Sequence, residues 1–116
     1  MCPLWKRVVV KGDSMVPTIR EGQRILVSLF HYRLRQPRRG DIVVLHHPKR
    51  PFKLLKRIVG TPGDDVETGV RLGDDEYFVK GDNPECNSDS RTFGPVRRDL
   101  IVGKAWLSYA PPRRIV

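Results

Sequence analysis

Asp41-Ile42-Val43-Val44-Leu45-His46-His47-Pro48-Lys49-Arg50-Pro51-Phe52-Lys53-Leu54-Leu55-Lys56-Arg57-Ile58-Val59-Gly60 is the stretch that decides the fold class. It holds two β-rich runs. The first starts after Gly40 and stops at Pro48; the second runs from Phe52 to Val59 and ends in Gly60-Thr61-Pro62-Gly63-Asp64. Neither run has a 3.6-residue apolar period, and both are bounded by turn residues, which is the signature of strands. Outward from this pair, Arg24-Ile25-Leu26-Val27-Ser28-Leu29-Phe30 reads as a strand and Val8-Val9-Val10 as a short one. Residues 66–80 read as a weak hairpin turning near Gly69 or Gly73-Asp74, residues 81–95 as a long polar loop, and Leu100 to Tyr109 as a last strand stopped by Pro111-Pro112. The expected fold is mostly β: one small domain over 1–116, with coiled antiparallel sheets forming a partly closed barrel. No repeat, linker or second domain is visible.

Composition agrees. A chain of 116 residues with 39% hydrophobic residues can build one small core. Ten glycines and ten prolines among 116 residues favour many turns and short strands over a helical bundle. The longest charge-poor stretch near the centre, Ile25 to Tyr32, is far shorter than the roughly 18–20 apolar residues of a membrane span. The start, Met1-Cys2-Pro3-Leu4-Trp5-Lys6-Arg7, lacks the apolar core of a secretory signal. The expectation from these features is a cytoplasmic protein without a membrane anchor. Its two cysteines, Cys2 and Cys86, form no metal-ligand spacing and no disulfide framework, which fits a reducing compartment.

The net charge is +9, unevenly placed: residues 20–57 carry 11 cations and 2 acids, residues 58–96 carry 3 cations and 9 acids. A basic half attracts nucleic acid, anionic lipid or acidic polypeptide, and charge alone does not choose among them. The densest piece, Arg33-Leu34-Arg35-Gln36-Pro37-Arg38-Arg39, reads as a solvated loop.

Three histidines, His31, His46 and His47, offer no metal site, because neighbours on a strand point to opposite faces. Gly60-Thr61-Pro62-Gly63 lacks the spacing of a phosphate loop. What remains is a serine with a lysine. Ser14 lies in Gly12-Asp13-Ser14-Met15-Val16-Pro17-Thr18, where the glycine permits a tight turn and Pro17 restricts the exit. Lys56 lies within Leu54-Leu55-Lys56-Arg57-Ile58-Val59, and strand alternation sends Lys56 and Arg57 to opposite faces. A serine hydroxyl becomes a nucleophile when a neighbouring base takes its proton. A lysine serves as that base only when burial lowers its pKa, from about 10.4, by roughly 2–3 units.

Four ordered blocks carry a resemblance. Ser14-Met15-Val16-Pro17-Thr18, Arg39-Gly40-Asp41-Ile42-Val43-Val44, Lys56-Arg57-Ile58-Val59-Gly60-Thr61-Pro62-Gly63-Asp64, and Gly81-Asp82-Asn83 through Ser88-Asp89-Ser90-Arg91 to Gly94-Pro95-Val96 resemble the boxes of type I signal peptidases, the S26 serine proteases, over about residues 8–105. The wider clan includes LexA-type repressors, but the last two boxes look like the signal peptidase branch. The resemblance implies a Ser-Lys dyad endopeptidase that needs no metal or cofactor, with Ser14 as nucleophile, Lys56 as general base and the Ser14 N–H as an oxyanion donor. The hydroxyl that family members often carry two residues before the nucleophile is replaced by Gly12. The family serine that orients the lysine aligns with Asn87, one place before Ser88, and either residue is a candidate for that role. Arg57, Asp89 and Arg91 match a buttressing ion-pair cluster that orders the loop, and Met15, with Pro17, matches the substrate pocket.

Signal peptidases also carry a membrane anchor ahead of the serine box, whereas 13 residues precede Ser14 here. The short chain and the 81–96 loop look most like the soluble proteases that mature nickel superoxide dismutase, so the expected partner is a protein with a cleavable leader, such as that dismutase's precursor. Two alternatives stand beside this. One is an anchorless signal peptidase-like enzyme that associates weakly with anionic membranes through its basic half, with Leu4, Trp5 and Trp106 contributing. The other is a small basic nucleic-acid-binding β-barrel using Arg33, Arg35, Arg38 and Arg39, a reading that leaves Ser14 and Lys56 without a purpose.

Overall fold

The computed structural model describes residues 5–86, 88–110 and 112–114. In chain order these form β1 (Trp5–Val9), β2 (Arg24–Ser28), α1 (His31–Leu34), β3 (Ile42–His46), β4 (Lys53–Gly60), β5 (Glu76–Lys80), α2 (Ser90–Phe93), β6 (Val96–Arg97), a 3-10 turn (Arg98–Leu100), β7 (Ile101–Ala110) and β8 (Pro112–Arg114). The strands make one antiparallel sheet in the order β1-β2-β7-β3-β4-β5-β6, with β8 added to β7. The mostly β, coiled architecture expected from the sequence is the one observed.

β3 is central because its side chains have no polar face. Ile42 and Val44 enter one apolar cluster, with Val10, Met15, Ile19, Ile25, Val27 and Ala105. Val43 and Leu45 enter a second cluster on the opposite face, with Tyr32, Ile58, Tyr77, Val79, Val96 and Ile101. A strand covered on both faces reads as a continuous apolar run rather than an alternation. Each aliphatic side chain taken fully out of water contributes about 1.5–3 kcal/mol.

The sheet is curled. Register shifts interrupt β2·β7 at Arg24/Ile25 and Leu26/Val27, β3·β7 at Val44/Leu45, and β4·β5 at Ile58/Gly60. Such bulges bend a strand and increase its twist. As a result β1 and β4, separated by three strands in the sheet order, face each other across one groove.

Several local expectations are corrected. The 66–80 hairpin does not form. Residues 67–71 are exposed and bury no face, so only a tight loop closes there, with Asp65 bridging Arg71 and the Val66 N–H donating to Val70 O at 2.9 Å. Tyr77, Phe78 and Val79, all 3% exposed or less, turn instead onto β4. The strand from Arg24 stops at Ser28, whose Oγ accepts from the His31 N–H at 3.1 Å as the chain enters α1. The polar 81–95 loop contains α2, capped by Asp89. Beyond β7 the chain pairs once more as β8, an edge position that tolerates Pro112.

Candidate active site

Ser14 sits on a turn after β1. Gly12 has φ +81, a conformation that favours glycine, and its N–H donates to Glu21 Oε2 at 2.8 Å. Beyond Ser14, the Val16 N–H reaches Asp13 O at 3.2 Å and the Ile19 N–H reaches Met15 O at 2.9 Å. The Val16–Pro17 peptide is cis. Met15 and Ile19, 1% and 0% exposed, anchor the turn in the first cluster. Ser14 itself is half-buried and lines the groove between β1 and β4.

The Gly81-Asp82-Asn83 segment holds the serine turn from outside. The Asn83 N–H donates to Ser14 O at 2.9 Å, and Asn83 Nδ2 donates to Asp13 O at 2.9 Å. A Cβ on Gly81 would stand 2.5 Å from Ser14 O, so only glycine lets the two backbones approach this closely. Asp82 takes Arg57 in a two-point grip, Nε to Oδ1 at 2.9 Å and Nη2 to Oδ2 at 2.8 Å, and accepts the Thr18 hydroxyl at 2.5 Å. Burial pushes the Asp82 carboxyl up, but the Arg57 and Thr18 bonds outweigh it and hold the group below the usual range.

Lys56 is on β4, 1% exposed. It pairs with Val43 on one side. On the other side β4 pairs with β5 in the register Arg57↔Lys80 and Ile58↔Val79, and this ladder ends one residue after Lys56. Gly81, which packs on Ser14, directly follows Lys80, and Lys56 directly precedes Arg57, the partner of Lys80. Burial lowers the Lys56 pKa; Asp89 and Cys86 nearby partly oppose this, and Arg91 adds to it. Alternation directs Lys56 inward with Ile58, while Arg57 turns away to Asp82.

Asp89 is fully buried. Its carboxylate accepts from Arg91 N–H and Nε at 3.0 Å, from Arg91 Nη2 at 2.9 Å and from the Gly81 N–H at 3.3 Å. Burial again opposes the charge, and the Arg91 and Gly81 bonds overcome it, leaving the pKa below the usual range. Arg91 Nη2 also donates to Cys86 O at 2.9 Å. The expected cluster of Arg57, Asp89 and Arg91 is thus two separate pairs, Arg57 with Asp82 and Arg91 with Asp89. Sequence reasoning passed over Asp82, although an acid inside the Gly81-Asp82-Asn83 block was the available signal.

Of the other candidates, Asn87 lies outside the described residues, Ser88 is exposed, and Cys86 is a free thiol. The neighbouring Ser90 is buried, and its Oγ accepts from the Val79 N–H at 2.9 Å. Met15 is in the core and Pro17 is exposed; the groove lining includes neither. Arg33, Arg35, Arg38 and Arg39 are exposed, and Arg39 pairs with Asp64 at 2.7 Å. Leu4 lies outside the described residues, Trp5 is 49% exposed, and Trp106 is covered by Lys104, whose Nζ is 4.5 Å from the ring centre. Among the described residues no helix is long and apolar enough to cross a membrane.

The groove encloses about 420 Å³. Lys6 to Val9 of β1, with Val10 beyond it, form one wall, Lys53, Leu54 and Leu55 of β4 the other, and Val27, Val44 and Val102 line it between them. Among the described residues β1 pairs only with β2 and ends the sheet, so there its second edge carries no neighbouring strand.

Comparison with known proteins points one way. A family model described as signal peptidase, peptidase S26, matches residues 2–73 and 67–110. A probable signal peptidase I-2 of Synechocystis is 30% identical over 139 positions, covering 91% of this chain and 63% of the relative. Signal peptidase IB of Staphylococcus aureus is 30% identical over 146 positions, covering 88% of this chain and 76% of the relative. The chain thus spans less than two thirds of the Synechocystis protein. Both alignments are longer than the chain's 116 residues, so the relatives carry segments inserted relative to it.

Proposed function

The chain belongs to the signal peptidase family, peptidase S26, and we propose that it is a serine endopeptidase that removes a leader from a protein substrate with Ser14 as nucleophile and Lys56 as general base. The observation that carries this reading is the buried Lys56 amine, at the end of the β4·β5 ladder where the chain runs on from Lys80 into the glycine that packs on Ser14.

Each unit by which burial lowers a lysine pKa corresponds to about 1.4 kcal/mol in favour of the neutral amine. The neutral Lys56 Nζ accepts the Ser14 hydroxyl proton as Oγ attacks the scissile carbonyl carbon. Negative charge develops on the carbonyl oxygen and is met by the Ser14 N–H; one donor of this kind is worth about 3–4 kcal/mol. The protonated lysine then gives its proton to the leaving amine, and the C–N bond breaks. Water, deprotonated by the same amine, releases the acyl group and restores Ser14. The substrate lies extended in the groove and adds its backbone to the open edge of β1, so main-chain bonds supply affinity and the groove lining supplies selectivity.

The relatives are named signal peptidases, which favours a signal peptide as the leader. The narrower expectation of a nickel superoxide dismutase precursor finds no support among them. The test is incubation of the purified chain with a preprotein and, in parallel, with the dismutase precursor, followed by intact mass measurement. A single cut that releases the leader, and that Ser14→Ala abolishes, is expected for the preprotein. Unchanged masses for both substrates would refute the endopeptidase reading; cutting of the dismutase precursor alone would restore the narrower one.

A further inference from the structure

The groove is lined by cations along β1 and at the start of β4. Lys6, Arg7, Lys11 and Lys53 line the groove, and no acid is among its lining residues. Lys6 and Lys53 come from opposite walls and lean over the same face. Lys6 pairs with Val27 and stands two residues before Val8, which packs on the first apolar cluster. Lys53 stands two residues before Leu55, the cross-strand partner of Val44, and both of these belong to or pack on that cluster. Side chains two apart on a strand share a face, so both amines project over the groove. Both line the groove, and the proximity of Lys6, through hydrogen bonding and then charge repulsion, lowers the Lys53 pKa.

Two ammonium groups set together without an acid are mutually repulsive, and an anion between them would turn that repulsion into attraction. We propose that Lys6 and Lys53 form a subsite for an acidic side chain of the bound peptide, so that the enzyme selects substrates with Asp or Glu near the cleavage site. The proposal rests on the peptidase reading and adds a charge preference to it. The site's place in the groove favours a peptide over a lipid surface, because the amines face the space that an extended strand would fill. At about 3.3 Å per residue, the four residues from Val10 to Lys6 span about 13 Å, which places the acidic residue about four to seven positions from the scissile bond.

The test uses a neutral parent peptide and versions with Glu or Lys at each of those positions. Binding is read by fluorescence anisotropy on Ser14→Ala, and kcat/KM on the active chain. At one position Glu should bind about fivefold or more tightly than Lys, with the advantage shrinking as salt rises. In Lys6→Glu/Lys53→Glu the Glu-to-Lys preference should invert. Equal binding of Glu and Lys peptides, or a preference that survives the double reversal, overturns the subsite. Binding to phosphatidylglycerol vesicles that the double reversal abolishes, with no discrimination among peptides, would assign the amines to lipid and also overturn it. The anisotropy arm does not depend on cleavage, so the subsite can fail while the peptidase reading stands, and the reverse.

Discussion

Gly81 and Ser14 touch backbone to backbone: a Cβ at Gly81 would lie 2.5 Å from the Ser14 carbonyl oxygen and 3.3 Å from its carbon. The atoms in the way are main chain, anchored by the Asn83 N–H and by Met15 in the core, so they have no easy retreat. Through this contact the position of the candidate nucleophile is tied to the loop that also carries Asp89.

Gly81→Ala should therefore displace the serine turn. Overpacking of this kind costs about 1–3 kcal/mol, and a displaced nucleophile loses rate steeply, on the order of a hundredfold for a shift near 1 Å. Thermal unfolding together with kcat/KM checks both. Wild-type activity in the alanine variant would mean that the contact does not position Ser14.

Ser14→Ala and Lys56→Ala should each reduce cleavage by about a thousandfold or more while leaving the fold intact by circular dichroism. Lys56→Met should be equally inactive yet no less stable than the parent, because it replaces a buried amine with an apolar side chain of similar length. Substantial activity in either Lys56 variant would remove the lysine from the mechanism.

The pH dependence has a definite sign. Burial lowers the Lys56 pKa in the folded state, so the fraction of neutral base, and with it kcat/KM, should rise with pH through that lowered value. Stability follows the same group: the native state binds fewer protons than the unfolded chain between the lowered pKa and about 10.4, so this contribution improves as pH rises across that window. Asp89 opposes the shift, and Asp89→Asn should move the rising limb of the rate profile to lower pH. A limb that stays in place would separate Asp89 from the base.

Arg57 and Asp82 should behave as a unit. Arg57→Lys keeps the charge but not the two-point geometry of 2.9 and 2.8 Å bonds. Removing either partner should cost about 1.5–3 kcal/mol, and the double substitution should cost less than the sum. Additive effects in denaturant melts would show that the pair is not coupled.

The runs at Asp41–Leu45, Phe52–Val59, Arg24–Phe30 and Leu100–Tyr109 declared themselves as strands through β-branched composition and flanking turn residues, though the structure ends the third at Ser28, and the Ser14 and Lys56 blocks stood out for their order along the chain. α1 and β6, at four and two residues, carry too few positions for any periodicity to register. Alternation required Lys56 and Arg57 to part company, yet which of them went inward depended on what covered each face. Here Val43 and Ile58 share the inner face with Lys56 while Asp82 awaited Arg57. The insertion of β7 between β2 and β3, the facing of β1 toward β4, and the placing of Lys6 and Lys53 on one groove were decided by tertiary structure alone. Strand character is written locally in side-chain shape, whereas pairing partners and buried neighbours are chosen by contacts between residues tens of positions apart.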